Sequence, residues 1–279
     1  MKFLSFLILL VSVTSFSLKG QDTAARIKLI TDNINNASDL YVSSQGIYIL
    51  HTSENKLSKI NENGEELWTI GGKGSGSYQF DHPVDVHGAN GMKIYVTDRN
   101  NNRVSVFDRR GQFLSTIEAS DDFGYRQRYQ PFLITVNKFG EVFFIDTITR
   151  EVRHFDLDGN TLLGFPLPDE IKEPVNMISV GNQLYIFDHK TELVEGIHLV
   201  SEGGNYRNFR ATNMLKNWTT DGQNEVGVTV ENDLFLDTDL VRTRNLSLPY
   251  DGLITDIQWF NERIYVLQKN RLFRIEFTQ

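Results

Sequence analysis

A repeat with an offset of 47 residues is the feature that most constrains this chain. The segment GIYILHTSENKLSKINENGEELWTI, residues 46–70, aligns without a gap on KIYVTDRNNNRVSVFDRRGQFLSTI, residues 93–117. The same order of elements recurs at residues 141–165 and 183–200, and in shorter form at residues 263–277. A period of this length indicates units that bury their core by stacking on their neighbours.

Each unit contains four short runs that are typical of β-strands. The runs are rich in Ile, Tyr, Val and Phe, and polar turns separate them. The first run of each unit lies upstream of the aligned segment, at residues 39–42, 84–87, 132–136, 175–180 and 254–259. Four strands in a unit of roughly 40 to 50 residues predict an all-β protein, a β-propeller of four-stranded blades.

The spacing of the second strands predicts six blades. A wide gap before the last copy leaves room for one weak blade at residues 210–248, where residues 225–230 and 233–238 both fit the second strand. The last copy ends after its third strand, while residues 26–31 form a strand-like run near the N-terminus. We therefore predict that residues 26–31 complete the last blade and close the ring.

Residues 1–20 differ from the rest of the chain. Lys2 precedes an apolar run that ends before Lys19 and Gly20, a pattern typical of a signal peptide cleaved after Gly20. An uncleaved N-terminal membrane anchor is the alternative, although the run is somewhat short for a span. We expect an exported protein, periplasmic or extracellular, with one domain at residues 21–279 and no membrane insertion after cleavage.

Charge and cysteine content narrow the function. The formal charge of −8 becomes −10 without residues 1–20, because that segment holds two lysines and no acid. An acidic chain is repelled by phosphate backbones, so we expect no nucleic-acid partner. The chain has no cysteine, which excludes disulfides, thiol nucleophiles and cysteine zinc sites. We expect a monomer.

The second unit resembles an NHL repeat. That pattern has a Gly-rich lead-in, Phe-x-x-Pro, an apolar strand and Tyr-Val-x-Asp-x-x-Asn-x-Arg. The matching residues are Gly72, Gly74, Gly76, Phe80, Pro83, Tyr95, Val96, Asp98, Asn101 and Arg103. Asp85 stands where a glycine is usual, and the motif is specific only over residues 71–117. The resemblance implies a six-bladed propeller, and such propellers include protein-binding modules, RNA binders, and metal-dependent lyases and lactonases.

An acid, an amide and a base meet at one turn of this unit, at Asp98, Asn101 and Arg103. Asp and Asn side chains commonly satisfy turn amides, and an arginine can bridge back to the acid. Asp146 and Asp188 repeat the acid in later units. We predict structural roles for this motif, together with Phe80 and Pro83, and no catalytic residue within it.

The long connection into the third unit is the best candidate binding site. Blade-to-blade connections cross one face of a propeller, and this one carries the aromatic and arginine side chains that most often anchor interfaces. The candidate residues are Phe123, Tyr125, Arg126, Arg128 and Tyr129. Packing of these aromatics on a neighbouring blade is the alternative, and residues 207–218 are a weaker second candidate. We predict a non-catalytic binding module that recognises a protein or a glycan and holds no cofactor.

The alternative function is a metal-dependent propeller enzyme of the lyase or lactonase type. His51, His82 and His189 fall near strand ends that face the same end of the ring. They are the candidate ligands for zinc or calcium in the central channel. No His-x-His or His-Glu-x-x-His spacing supports them.

Overall fold

The computed structural model describes residues 14–17, 24–89, 91–118, 129–189, 196–212, 215–238 and 244–278. Over these residues the chain is an all-β, six-bladed propeller with antiparallel strands in every blade, which confirms the predicted fold class. Two short 3-10 turns, Thr52–Glu54 and Arg99–Asn101, follow the second strands of the first two blades. None of the described helical segments is long and apolar enough to cross a membrane.

The strands are numbered in chain order, beginning with β1 Thr14–Ser17 and β2 Ala24–Thr31. Blade 1 holds β3 Asp39–Ser43, β4 Gly46–His51, β5 Lys56–Ile60 and β6 Glu66–Gly71. Blade 2 holds β7 Pro83–Ala89, β8 Lys93–Asp98, β9 Arg103–Asp108 and β10 Phe113–Glu118. Blade 3 holds β11 Pro131–Val136, β12 Val142–Asp146, β13 Glu151–Phe155 and β14 Phe165–Pro166.

The second half of the ring repeats this order. Blade 4 holds β15 Pro174–Val180, β16 Gln183–Asp188, β17 Gly196–Ser201 and β18 Tyr206–Ala211. Blade 5 holds β19 Leu215–Thr220, β20 Glu225–Thr229, β21 Leu234–Asp237 and β22 Arg244–Leu246. Blade 6 holds β23 Ile254–Phe260, β24 Arg263–Gln268 and β25 Arg271–Thr278. The first strand of each blade lies innermost and is called its inner strand.

The N-terminal strand closes the ring, as predicted. β2 pairs antiparallel with β25, from Ala24 opposite Thr278 to Thr31 opposite Leu272, and becomes the outer strand of blade 6. β1 adds a fifth strand on the outside of β2. Since β1 falls inside residues 1–20, the strand belongs to the segment for which we predict a signal peptide.

The core lies between the blades. Each inner strand contacts the inner strands of both neighbouring blades, and β23 contacts β3, so the ring is continuous. Six clusters of buried apolar side chains fill the spaces between adjacent blades, one cluster for each pair of blades. A single blade buries neither face alone, so each blade depends on its neighbours for stability.

Blade 5 settles the open choice of strands. β20 covers residues 225–229, so the first of the two alternatives is the second strand of the blade, and residues 233–238 contribute its third strand. Residues 207–218, the weaker binding candidate, belong mostly to β18 and β19. This segment links the outer strand of blade 4 to the inner strand of blade 5.

The motif of the second unit ties a blade corner together. The buried Asp98 carboxylate accepts hydrogen bonds from the Asp81 backbone N–H at 2.8 Å, Asn101 Nδ2 at 2.7 Å and Arg103 Nε at 2.9 Å. The Arg103 guanidinium also donates to three backbone carbonyls in the Gly-rich lead-in. Phe80 is fully buried beneath this corner, and Pro83 begins β7. These contacts fasten the connection between blades 1 and 2 to blade 2.

Candidate functional site

The two faces of the ring differ in the chain segments that they carry. Each inner strand begins beside the end of the second strand of its own blade, as Pro83 does opposite Asp98 and Pro174 opposite Asp188. The blade-to-blade connections reach this same side. We call it the upper face, and the opposite side, which carries the turns between first and second strands, the lower face.

A central cavity of about 330 Å³ runs along the ring axis. All six inner strands line it, and its walls include Phe132, Val175 and Trp259. Every blade therefore contributes residues to this cavity. Side chains at equivalent positions of neighbouring inner strands lie next to one another around the axis.

One position per inner strand forms what we call the channel ring. Its members are Asp39, Asp85, Leu133, Asn176, Asn217 and Asp256. In blades 2 to 6 the pairing with the second strand shifts register just before this position. Such irregularities re-aim a side chain. In four of these five blades the re-aimed residue is polar, and blade 1, whose pairing is regular, also places an acid there.

The three acids of the channel ring join consecutive blades. An Asp256 oxygen accepts a hydrogen bond from the Leu40 backbone N–H of blade 1 at 3.0 Å. Asp39 accepts one from Val86 N–H of blade 2 at 2.7 Å, and Asp85 accepts one from Ile134 N–H of blade 3 at 2.8 Å. Each carboxylate therefore links its own inner strand to the next.

The amides of the channel ring continue this pattern with different chemistry. Asn217 Nδ2 donates to Asp256 Oδ1 at 3.0 Å, and Asn176 Nδ2 donates to the Trp218 carbonyl at 2.8 Å. Leu133, which has no polar atom in its side chain, packs into the cluster between blades 3 and 4. Blades 6, 1 and 2 thus hold acids, and blades 3, 4 and 5 hold uncharged residues.

Proximity of the three acids changes their protonation. Burial, followed by repulsion from Asp85 and Asp256, holds the pKa of Asp39 well above its ordinary value, and its side chain contacts both neighbours through hydrogen bonds. Burial also raises the pKa values of Asp85 and Asp256 to about 6. Asp39 therefore keeps its proton more readily than Asp85 and Asp256 do, and its single O–H can donate to one of their carboxylates at a time.

The three candidate histidines do not form a metal site. Both ring nitrogens of His51 are engaged, Nδ1 with the Asn35 carbonyl at 2.6 Å and Nε2 with Ser58 Oγ at 2.8 Å. Over the described ranges, which include all three histidines, no group of three or more His, Asp or Glu residues is arranged to hold a metal ion. The channel carboxylates bond to backbone N–H groups and to one another, so they do not fit a divalent cation either.

A second cavity, which we call the side pocket, opens on the upper face between blades 3 and 4. Its volume is about 450 Å³, within the range of small-molecule sites. It shares Phe132 and Val175 with the central cavity, so these two side chains separate the cavities. Its other apolar lining residues are Ile145, Leu167 and Pro174.

The side pocket carries cationic side chains at its rim. Arg99 comes from the turn after β8, Arg150 from the turn after β12, and Lys172 from the connection into blade 4. Asp146, Glu173, Thr147 and His189 are the other polar lining residues. The sequence position predicted for His189, near a strand end on the upper face, is correct, but the residue lies in this pocket and not in the channel.

The predicted binding loop leads into β11, whose residue Phe132 lines the side pocket. Phe123, Tyr125, Arg126 and Arg128 lie outside the described residues, and their role stays a prediction. Tyr129 is only 6% exposed and packs against Phe144 and Phe155, with the Arg153 guanidinium 5.0 Å from its ring centre. Its ring is therefore part of the interior between blades 2 and 3.

Gln130, which follows the loop, contacts two residues that line the side pocket. Gln130 accepts a hydrogen bond from Thr147 Oγ1 at 2.8 Å and a long one from Arg99 at 3.4 Å. Neither the channel ring nor the side pocket is predicted from the sequence. Asp39, Asp85 and Asp256 each precede an apolar residue in the first run of their unit, and this recurrence is a signal in the sequence for the channel ring.

Comparison with known proteins identifies fold relatives. No family model matches the chain. NHL repeat-containing protein 3 of Homo sapiens is 35% identical over 78 residues, which cover 26% of this chain and 22% of the human protein. The chain thus matches less than a quarter of the length of that relative, and the match supports the presence of NHL repeats.

Solved structures share the architecture at low identity. A gluconolactonase from Xanthomonas campestris has a TM-score of 0.66 at 11% identity and covers 91% of this chain and 90% of its own. A catalytically inactive virginiamycin B lyase from Staphylococcus aureus, solved with quinupristin, has a TM-score of 0.61 at 12% identity, with coverage of 95% and 99%. A chain of a nidogen/laminin complex has a TM-score of 0.55 at 14% identity, with coverage of 86% and 97%. Enzymes and binding proteins both use this fold, so the likeness shows the fold alone.

Proposed function

We propose that this chain is a non-catalytic, exported binding module that recognises a protein or a glycan through its upper face. The side pocket carries the proposal. It is an apolar recess of about 450 Å³ with a polar rim on the face that holds the blade-to-blade connections. Val175 on its border is 42% exposed, and an apolar side chain exposed beside a recess is typical of a recognition surface.

The chemistry of the channel also favours binding over catalysis. Asp39, Asp85 and Asp256 each use an oxygen to hold the backbone of the next blade. A carboxylate fixed in this way serves the ring and is poorly placed to move a proton to a substrate. The predicted signal peptide supports export, and cell fractionation with an antibody against residues 21–279 tests it.

The experiment compares two variants that each place an acid on an exposed apolar position. Residues 21–279 are immobilised, exposed to extract from the native organism and to a glycan array, and the specific partner is quantified. Val175→Asp should weaken binding at least 10-fold by putting a charge in the recess. Met92→Asp, at a 61% exposed position on the lower face, should bind like the parent.

Melting temperatures decide whether the comparison is valid, and both variants should melt within about 2 °C of the parent because neither residue is buried. Equal loss of binding in Val175→Asp and Met92→Asp would contradict recognition through the upper face. A partner that binds both variants as well as the parent would place recognition elsewhere on the molecule.

The alternative is a metal-dependent lyase or lactonase that acts in the channel. One observation favours it: three carboxylates with raised pKa values lie in a cavity, and perturbed acids concentrate at catalytic sites. Elemental analysis of the dialysed protein tests this alternative. A stoichiometric divalent metal would favour the enzyme, whereas a metal-free protein that melts at the same temperature before and after dialysis would favour the binding module.

A further inference from the structure

We propose that the side pocket binds a ligand that combines an apolar body with one carboxylate. This inference rests on the proposed function and names the chemistry that the upper face recognises. The carboxylate belongs either to a small organic acid or to the C-terminal residue of a partner polypeptide, and the two sources present the same group to the pocket.

The floor of the pocket provides the apolar half of this recognition. Ile145 and Leu167 are buried beneath it, and Phe132, Pro174 and Val175 form the walls. A branched aliphatic or aromatic group placed here would cover the exposed part of Val175 and displace water from the recess. The volume accommodates a group of about the size of a naphthalene ring with room for its substituent.

The rim provides the charged half. Arg150 donates from its guanidinium to the Ile171 carbonyl at 2.7 Å, and Arg99 lies 5.6 Å from the Phe132 ring centre. These contacts hold both guanidinium groups in place without neutralising them. Within the described part of the chain, Arg99, Arg150 and Lys172 form no ion pair, although the whole chain is strongly acidic.

The acids of the lining compete weakly for these cations. The buried Asp146 carboxylate accepts hydrogen bonds from the Gln130 and Ile148 N–H groups, both at 3.0 Å, and from Thr149 Oγ1 at 2.9 Å. Arg153 Nε lies 3.7 Å from it and compensates its charge. Glu173 is the second carboxylate of the lining, so the pocket has three cationic and two carboxylate side chains.

The neighbouring cavity sets the orientation of the ligand. Asp39, Asp85 and Asp256 line the channel on the far side of Phe132 and Val175. The ionised carboxylates among these three acids repel an anion from that side, while the arginines attract it at the rim. The carboxylate should therefore lie outward, toward Arg99 and Arg150, with the apolar body against Phe132 and Val175.

The first experiment titrates residues 21–279 with 2-naphthoate and, separately, with 2-naphthamide by calorimetry. The amide has the same shape and no charge, so the pair isolates the contribution of the carboxylate. We expect a dissociation constant for 2-naphthoate below about 1 mM and binding of the amide at least 10-fold weaker. Equal affinity for the two compounds, or no saturation by 2-naphthoate at 5 mM, would overturn the inference.

Substitutions locate the site. Lys172→Gln and Arg99→Gln should each weaken 2-naphthoate binding about 5-fold or more and leave naphthamide binding unchanged. Lys138→Gln makes the same change in net charge on the lower face, where Lys138 lines another recess, and should have no effect. If Lys138→Gln weakens binding as much as Lys172→Gln, the response reflects net charge and the side pocket is not the site.

Peptides distinguish the source of the carboxylate. Acetyl-Ala-Ala-Leu as the free acid and as the C-terminal amide are titrated in the same way. Tighter binding of the peptide acid than of 2-naphthoate indicates a polypeptide C-terminus, and the reverse order indicates a small organic acid; either result supports the inference. A partner that requires Val175 but binds in the presence of saturating 2-naphthoate would refute the carboxylate inference while leaving the binding function intact.

Discussion

The two halves of the channel ring use different residues at the position that contacts the next inner strand. In blades 6, 1 and 2 an aspartate bonds the backbone of the next inner strand, whereas blades 3, 4 and 5 place Leu133, Asn176 and Asn217 at the same position. The uncharged half shows that a propeller of this kind closes without acids. The three acids join the blades as well, and they differ from the uncharged half in placing ionisable groups along one side of the channel.

The acidic half also contains the pairing of β2 with β25 that closes the ring. Removing this pairing should lower the stability of the protein more than any other change proposed here. Loss of β2 removes Ile27 and Ile30 from the clusters that flank blade 6 and exposes the edge of β25. A chain that begins at Asp32 should lose about 5 kcal/mol or more of unfolding free energy, measured by urea denaturation.

A chain that begins at Gln21 is the control, since it loses β1 and retains β2. It should unfold within about 1 kcal/mol of the full chain because β1 lies outside the four-stranded blade. Similar stability of the two truncated chains would mean that β2 does not close the ring.

The central acid should be the most sensitive single residue of the channel ring. Asp39→Ala leaves the Val86 N–H without its acceptor and removes the proton donor between Asp85 and Asp256. We expect a loss of about 3 kcal/mol at neutral pH. Asp39→Asn retains an acceptor and a donor of nearly the same shape, so it should cost less than about 1 kcal/mol; equal losses for Ala and Asn would argue against a protonated Asp39.

An added acid in the uncharged half should sharpen the contrast. Asn217→Asp replaces the amide that donates to Asp256 with a second carboxylate, and the two oxygens then face each other. We expect a loss of about 1 to 2 kcal/mol at pH 7.5 that shrinks at pH 4.5, where protonation restores a donor. Asn217→Ser is the matched control, and its loss should not depend on pH.

The smallest effect is the pH dependence of the parent protein. Because the folded pKa values of the three acids are raised, the folded state binds more protons than the unfolded state above about pH 4. Their contribution to stability is complete below that pH and declines as the pH rises through about 6. The difference in melting temperature between the parent and the Asp85→Asn/Asp256→Asn double variant should therefore shift by a few degrees in favour of the variant between pH 4.5 and 7.5. A constant difference across this range would show that the acids titrate normally.

The sequence predicts the architecture well because the architecture repeats. The recurring order of elements located the inner strands of five blades, and the incomplete last unit predicted the pairing of β2 with β25. Blade 5 stayed ambiguous because residues 225–230 and 233–238 are both short segments rich in apolar side chains, and each has the length of a strand. Strand order within a blade depends on pairing, which local alternation does not encode.

The candidate sites were harder to predict because they assemble from several blades. Asp85 attracted notice only as a departure from a repeat pattern, and its neighbours Asp39 and Asp256 lie 46 and 171 positions away in the chain. Arg99, Arg150 and Lys172 come from three different turns. For the histidines, the sequence predicted a shared face but not the direction of each ring, and His51 turns to Asn35 and Ser58.

The pairing of β2 with β25 also sets the order of events in synthesis. Ile27 leaves the ribosome early, but its partner Ile275 is added almost 250 residues later. At ordinary translation rates this separation is roughly 10 to 50 s. During that interval the nascent chain can fold blades 1 to 5 in succession. β2 stays without its partner strand until β25 has been synthesised.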